Sequence, residues 1–238
     1  MRAALTIARR ELISYFCQPV GYVVTALFLV VSGIIFSLEI FKPAEPASLR
    51  AFFSSAVWML SFIAPAITMR LLAGEYRQGT IETVQTSPVA DWQVIWGKFL
   101  AAFCMLLVML VPTLVYLLML QMVSKPDYGP VFSGYLGLLL LGAMYLALGT
   151  LASTMTQSLM AAYLGAFFFW IFAGFATSQG AAALGSPWDT VLYACSPRLH
   201  TANLAKGVIS LVDIVFFLSL TVFFLLLAVR ILESRRWR

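Results

Sequence analysis

The longest markedly polar stretch between two hydrophobic runs of this chain is Arg70-Leu-Leu-Ala-Gly-Glu-Tyr-Arg-Gln-Gly-Thr-Ile-Glu-Thr-Val-Gln-Thr-Ser-Pro-Val-Ala-Asp-Trp-Gln-Val-Ile-Trp-Gly-Lys98. Thr80 is placed to cap a short helix over 80–86, with Glu82 in its first turn, where a carboxylate suits the positive end of the helix dipole. Pro88 disfavours helical geometry in the residue before it and ends that helix. We therefore predict a short capped helix outside the bilayer, with a plain solvated loop as the alternative.

The composition on either side of this stretch is that of a membrane protein. The chain has 238 residues, of which 62% are hydrophobic and 11% are charged. Soluble domains average about 25% charged residues, so this chain has too few to cover a surface that faces water. Several apolar runs reach the roughly 20 residues needed to cross the hydrocarbon core. An all-α, polytopic membrane protein follows, in a single transmembrane domain over 1–238.

Six apolar runs are long enough to be spans. They cover about 20–40, 52–72, 94–122, 132–155, 159–179 and 208–231. Pro65 and Pro112 lie inside the second and third spans, where the missing backbone donor is expected to kink the helix. Because these two spans flank the polar stretch, a bend in either span would change the orientation of that stretch.

Residues 2–17 predict an amphipathic helix before the first span. Its apolar stripe consists of Leu5, Ala8, Leu12 and Phe16. Arg10 and Glu11 lie opposite this stripe, and Arg9 lies at its edge. We expect the helix to lie in the membrane interface; the alternative is a cytosolic overhang of the first span.

Two further regions carry local signals. Small residues recur at four-residue spacing in the fifth span, as Ala161 with Gly165 and Ala162 with Ala166, which permits close helix packing but names no partner. The region 186–206 contains two Ser-Pro steps, each followed by an amphipathic piece too short to span. A hairpin that dips into the outer leaflet is expected there.

The distribution of Lys and Arg predicts the orientation. Ten of them belong to the two termini and the 70–98 stretch: Arg2, Arg9, Arg10, Arg70, Arg77, Lys98, Arg230, Arg235, Arg236 and Arg238. Five belong to the opposite side: Lys42, Arg50, Lys125, Arg198 and Lys206. The positive-inside rule then places both termini and the polar stretch in the cytoplasm. The basic residues at the ends of the spans account for the net charge of +5, so no nucleic-acid partner is expected.

The residues for most kinds of catalysis are missing from the sequence. There is one histidine, His200, and there is no H-E-x-x-H, no G-x-S-x-G and no G-x-x-x-x-G-K-[ST] motif. The three cysteines show no metal-binding spacing. We therefore expect no catalytic, cofactor-binding or metal residues in this chain. A membrane enzyme built on His200 and a non-transporting membrane scaffold remain the alternatives to a transporter.

Several segments resemble the permease subunits of ABC-2-type transporters, and most closely the gliding-motility-associated branch. They are Ala8-Arg-Arg-Glu-Leu12, Gly74-Glu-Tyr-Arg-Gln-Gly-Thr-Ile-Glu82, Thr86-Ser-Pro88, Trp96-Gly-Lys-Phe99 and Leu232-Glu-Ser-Arg-Arg-Trp237. The resemblance covers essentially the whole chain. It implies a fold like that of type V ABC exporters, with an N-terminal interfacial helix, a cytoplasmic coupling helix and an outer re-entrant hairpin at 186–206.

The resemblance also implies roles and partners. The element that docks on a separate ATPase subunit would include Glu75, Arg77, Gly79, Thr80, Ile81, Glu82 and Thr83. ATP and Mg would be bound by that partner and not by this chain, which would move its substrate by the partner's ATP hydrolysis. A second permease copy, identical or similar, would pack near Ala161–Ala166 of the fifth span. The related branch further implies a membrane-anchored auxiliary protein with an outer domain.

Overall fold

The computed structural model describes residues 2–40, 49–81, 89–123, 127–177 and 195–236. Every regular element in these ranges is helical, which confirms the all-helical prediction. The helices are α1 (Arg2–Cys17), α2 (Pro19–Ile40), α3 (Arg50–Thr68), α4 (Ala73–Gln78), α5 (Asp91–Leu110), α6 (Leu114–Val123), α7 (Tyr128–Met155), α8 (Leu159–Phe175), α9 (Pro197–Ala205) and α10 (Leu211–Arg236).

Five helical segments in the described part of the chain are long and apolar enough to cross a membrane. They are Pro19–Leu38, Arg50–Gln78, Asp91–Met122, Tyr128–Met155 and Leu211–Arg235. The apolar helix α8, predicted as part of the fifth span, is shorter, with 17 residues. The protein is therefore a multi-pass membrane protein, and six spans remain a prediction.

Helix α7 lies at the centre of the bundle and packs against α3, α5, α8, α9 and α10. Its glycines permit this crowding, because neighbouring side chains occupy the space where a Cβ atom would lie. A Cβ atom on Gly142 would come 2.4 Å from Leu106 of α5, and one on Gly134 would come 2.3 Å from Phe53 of α3. The small residues of this helix thus bring two other helices into close contact with it.

Helix α1 packs along α5 instead of projecting away from the bundle. The two backbones approach closely at Gly97, where a Cβ atom would lie 2.8 Å from the Ala4 carbonyl oxygen. Ala4 is buried, whereas Leu5 and Ile13 are more than half exposed. The helix therefore has two apolar sides, one against the protein and one, which includes the predicted Leu5, available to the membrane interface.

The predicted second and third spans contain local breaks. Helix α3 ends at Thr68, three residues after Pro65, and a turn follows where the predicted span ran on to 72. Pro112 lies in a 3-10 turn, Val111–Thr113, that separates α5 from α6. Proline has no N–H with which to continue the α-helical hydrogen bonding, so the change of helix type falls at this residue.

Candidate functional site

The most unusual side chain in the structure is the buried ammonium group of Lys98, on α5. Lys98 is 1% exposed, and its Nζ atom donates hydrogen bonds to Glu11 Oε1 at 3.0 Å and to Glu75 Oε1 at 2.8 Å. It also donates to the backbone carbonyl of Leu71. A buried charge must be paired and hydrogen-bonded to be tolerated. One lysine thus joins α1, the turn after α3, α4 and α5.

Arg10 completes this group on the side that faces solvent. Its Nη2 atom lies 3.2 Å from Glu11 Oε1 and 3.3 Å from Glu75 Oε1, and its side chain is 67% exposed. We call Arg10, Glu11, Glu75 and Lys98 the Lys98 cluster. Two cations balance two carboxylates, so the cluster is formally neutral. Removing one partner of such a buried group is costly because the other charges stay in place.

The turn that leads from α3 into α4 is held by a side chain of the central helix. Ser153 of α7 accepts hydrogen bonds from the backbone N–H groups of Leu72 and Ala73, both at 3.0 Å, and donates to the Met69 carbonyl at 3.2 Å. Backbone groups at helix ends have no partner within the helix, so a side chain must supply one when they are buried. Ser153 therefore fixes the entry into α4.

Helix α1 contributes a second bond to the same end of α3. The Tyr15 hydroxyl donates to the Ile67 carbonyl at 2.8 Å. Burial raises the pKa of the Tyr15 phenol, so that the hydroxyl remains a donor throughout the physiological range. Beside it, Arg70 donates to the Gln18 side chain at 2.6 Å, and Arg70 itself is exposed. The end of α3 is thus bound to both α1 and α7.

The segment predicted to couple to an ATPase begins with a helix that the local sequence signals do not indicate. Helix α4 covers Ala73–Gln78 and ends at Gly79, whose φ of 70° is a left-handed conformation that favours glycine. Thr80 bonds backward to the Glu75 carbonyl, through its backbone N–H at 3.1 Å and its hydroxyl at 3.5 Å. Thr80 therefore helps to close α4, and Ile81, the next residue, is again helical. Because 82–86 lies outside the described residues, the capped helix over 80–86 stays a prediction.

The individual coupling residues differ in exposure. Arg77, Gly79 and Thr80 are exposed, Ile81 is buried, and Glu75 belongs to the Lys98 cluster with 13% of its side chain exposed. Glu82 and Thr83 lie outside the described residues. Glu75 thus has a structural task inside the chain, and among the described members of the predicted set Arg77, Gly79 and Thr80 are accessible.

The interfacial helix needs one correction. Arg9 and Arg10 are exposed as the pattern predicts, but Glu11 points inward to Lys98, with 16% of its side chain exposed. The sequence interpretation placed Glu11 on the polar face. A second stripe formed by Ala4, Ile7 and Glu11 has helical spacing too, and a lysine seven residues into an apolar helix is a charge that requires a partner. Together these two signals would have suggested the pair.

A recess of about 970 Å³ lies beside the Lys98 cluster, between α1 and α4. Its charged lining consists of Arg10, Arg70, Arg77, Lys98, Glu11 and Glu75. Among the described residues of this lining, four cations stand against two carboxylates. The recess is thus suited to receive a polar segment with acidic side chains.

The four small residues predicted at a contact between protomers face two directions. Ala162 and Ala166 are 2% and 1% exposed and are buried on α8, which packs against α3 and α7 of the same chain. Ala161 and Gly165 are exposed, and no atom lies within 4 Å of the position of a Cβ atom on Gly165. Ala162 and Ala166 thus pack within the chain, and the predicted contact between copies depends on Ala161 and Gly165.

The described residues contain no group of three or more His, Cys, Asp or Glu side chains able to hold a metal ion. Cys17, Cys104 and Cys195 are free thiols. His200 on α9 pairs through Nδ1 with Asp213 of α10, and its ring stacks on Phe216 with centroids 4.3 Å apart. This pair joins a short helix to the last long one.

Comparison with known proteins identifies the family. The family model described as ABC-2 family transporter protein matches residues 5–235, which is nearly the whole chain. A search of curated proteins finds no match. The family match does not distinguish the gliding-motility-associated branch from others, so that branch remains a prediction. The chain belongs to the ABC-2 family of transporter proteins and is a permease component of an ABC transporter.

Proposed function

We propose that this permease moves its substrate across the bacterial inner membrane when a separate ATPase subunit, docked on the segment 75–83, hydrolyses ATP. The observation that carries the proposal is the Lys98 cluster. It connects the helix that starts this segment to α1 and α5, and so to the bundle. A docking element must be rigidly attached to the helices that it moves.

Three attachments make α4 a part of the bundle. Glu75 bonds to Lys98 of α5, Ser153 of α7 holds the turn before α4, and the Arg235 guanidinium of α10 lies 4.9 Å from the centre of the Tyr76 ring. A displacement of α4 would therefore act on three long helices at once. Gly79 follows at the point where the backbone turns, and a residue of this kind can absorb a change in backbone angles.

The same end of the bundle contains the first helix and the end of the last. Helix α1 reaches Lys98 through Glu11, while Arg235 near the end of α10 donates to the carbonyl of Met155. Both termini on one side, together with the excess of basic residues on that side, support a cytoplasmic location for the docking segment.

Pull-down of the tagged permease from native membranes tests the docking. Arg77→Glu reverses an exposed charge beside the recess, and Glu82→Lys reverses the charge that the sequence assigns to the same segment. Each is expected to reduce co-purified ATP hydrolysis at least about tenfold, because a reversed charge places like charges across the contact. Arg230→Glu is the matched control, since Arg230 is exposed on α10 and pairs only with Glu233 among the described residues.

The parent chain must retain ATP hydrolysis for the proposal to stand. If no ATPase co-purifies with it, the scaffold alternative gains support. If both variants retain the ATPase as well as Arg230→Glu does, the partner docks elsewhere.

We further propose that two copies pair along α8 through its exposed small residues. Ala161 and Gly165 are accessible, whereas Ala162 is buried within the chain. Single cysteines at Ala161 or Gly165 should form disulfide-linked dimers in membranes. A cysteine at Ala162 is the control and should not; equal crosslinking from all three positions would contradict the assignment.

A further inference from the structure

A second cavity, of about 260 Å³, lies at the opposite end of the bundle from the Lys98 cluster. It is bounded by the first half of α3, the first half of α7, and α9. Its floor includes the apolar side chains of Phe53, Val57 and Leu138. Three cations, Arg50, Arg198 and Lys206, line its wall, and we call this cavity the basic pocket.

The three cations have no carboxylate partner among the residues that the structure describes. Each is exposed, and the described ion pairs involve other residues. They come from three places, namely the start of α3, the first turn of α9 and the residue after α9. Converging cations above an apolar floor are suited to an anionic group attached to an apolar body.

Helix α9, which supplies Arg198, is held in place by buried contacts. Leu204 is fully buried and lies against Gly137 of α7, where a Cβ atom would come 3.1 Å from the Leu204 side chain. The pair of His200 with Asp213 fixes α9 to α10. Arg198 is further positioned by its guanidinium, which lies 4.7 Å from the centre of the Trp58 ring. The pocket is therefore preorganised, which lowers the cost of binding.

An aromatic cleft of about 250 Å³ adjoins the basic pocket and shares Val57 and Arg198 with it. Its lining includes Trp58, Tyr145 and Trp170. The Trp170 Nε1 atom is buried and has no hydrogen-bond partner among the described residues. A buried donor without a partner is unfavourable. The rings of Trp58, Tyr145 and Trp170 give the cleft a largely apolar wall, which suits an alkyl chain.

We propose that the basic pocket binds an amphipathic anion, a phosphate-bearing lipid-like molecule whose head contacts Arg50, Arg198 and Lys206 and whose apolar chain enters the aromatic cleft. Guanidinium groups bind phosphate through paired hydrogen bonds, and an apolar cleft beside them can hold the chain of the same molecule. The site is independent of the ATPase, because all of its residues belong to this chain at the end away from the docking segment.

Binding is tested on the purified chain alone, in a neutral maltoside detergent, without nucleotide or ATPase. Dodecyl phosphate is the probe, and tryptophan fluorescence is the readout because Trp58 and Trp170 line the cleft. The parent should bind dodecyl phosphate saturably and at least about tenfold more tightly than inorganic phosphate, which lacks the chain. Equal affinity for the two would overturn an amphiphile site.

Variants test whether dodecyl phosphate binds in the basic pocket or is attracted non-specifically to a basic surface. The double variant Arg50→Gln/Lys206→Gln should weaken dodecyl phosphate binding about tenfold, whereas Arg230→Gln, a control that is also exposed, should not change it. The proposal is overturned if the double variant binds like the parent or if Arg230→Gln weakens binding as strongly.

Nanodiscs distinguish a lipid of the bilayer from an amphiphile of another source. The titration is repeated in phosphatidylcholine discs with and without phosphatidylglycerol. Competition by phosphatidylglycerol supports the site and assigns it to bilayer lipid, while undiminished binding supports the site and assigns it to another phosphate-bearing amphiphile. Loss of binding in both kinds of disc would overturn the proposal.

Discussion

The charged groups at the two ends of helix α3 differ in burial and in pairing. Beyond the last residue of α3 lies Lys98 of α5, which is 1% exposed and whose ammonium group bonds to two carboxylates. At its first residue, Arg50 belongs to a set of three exposed cations that have no carboxylate partner in the described part of the chain. About 27 Å of helix separates these surroundings, at 1.5 Å per residue.

The difference shows how burial decides the role of a charge. A lysine that is removed from water is stable only with partners, so its bonds hold elements of the same chain together. A cation that remains in contact with water needs no partner and stays available to an external anion. Hence we interpret the Lys98 end as a rigid connection and the Arg50 end as a binding surface.

The largest expected effect is that of Lys98→Met, which would break the connection. It leaves Glu11 and Glu75 close together without their shared ammonium group, and such a change typically costs about 3–5 kcal/mol of unfolding free energy. Thermal unfolding in detergent measures the loss, with the exposed Arg77→Met as control. The triple variant with Glu11→Gln and Glu75→Gln should recover part of it, and a Lys98→Met protein as stable as Arg77→Met would contradict the comparison.

A smaller effect is expected when serine is replaced by alanine near either end of α3, at Ser153 of α7 or at Ser54 of α3. Ser153→Ala leaves the buried N–H groups of Leu72 and Ala73 without their acceptor and should cost about 1–3 kcal/mol. Among the described residues Ser54 bonds to the carbonyl one turn back in its own helix, so Ser54→Ala should change stability by less than about 0.5 kcal/mol. Equal unfolding temperatures for the two variants would show that the turn before α4 does not depend on Ser153.

The smallest effect is expected at the basic pocket. Arg50→Gln and Lys206→Gln should each change the unfolding free energy of the ligand-free chain by less than about 0.5 kcal/mol, since neither cation has a described partner to lose. The measurement is again thermal unfolding in neutral detergent. A loss as large as that of Ser153→Ala would mean that these cations stabilise the fold and are not reserved for a ligand.

Much of the fold was predictable because its signals are local. An apolar run of about 20 residues defines a membrane helix wherever it occurs, and α2, α5 and α7 begin within a few residues of the predicted spans. Pro112 marks the change of helix type because its missing N–H is a property of the residue itself. The resemblance to ABC-2 permeases likewise depended on short motifs, and the family match confirms it.

The candidate site was less predictable because its residues are distant in sequence. Lys98 meets Glu11 from 87 positions away and Glu75 from 23 positions away, and neither spacing has meaning within one helix. The coupling segment was located from its motif, but helix α4 and the backward bonds of Thr80 were missed. Gly79 ends α4, and the start of that helix is fixed by the bonds from the backbone of Leu72 and Ala73 to Ser153, which no local signal indicates.

By itself, the sequence determined that this chain is a helical membrane protein, which regions can span the bilayer, and which family its motifs resemble. These properties depend on hydropathy, length and residue type, all of which are read along the chain. Only the tertiary structure decided which charges are paired and which are free, because pairing depends on helices that approach each other at Gly97 and Gly142. The same packing turned Glu11 inward and left Arg50, Arg198 and Lys206 around one pocket.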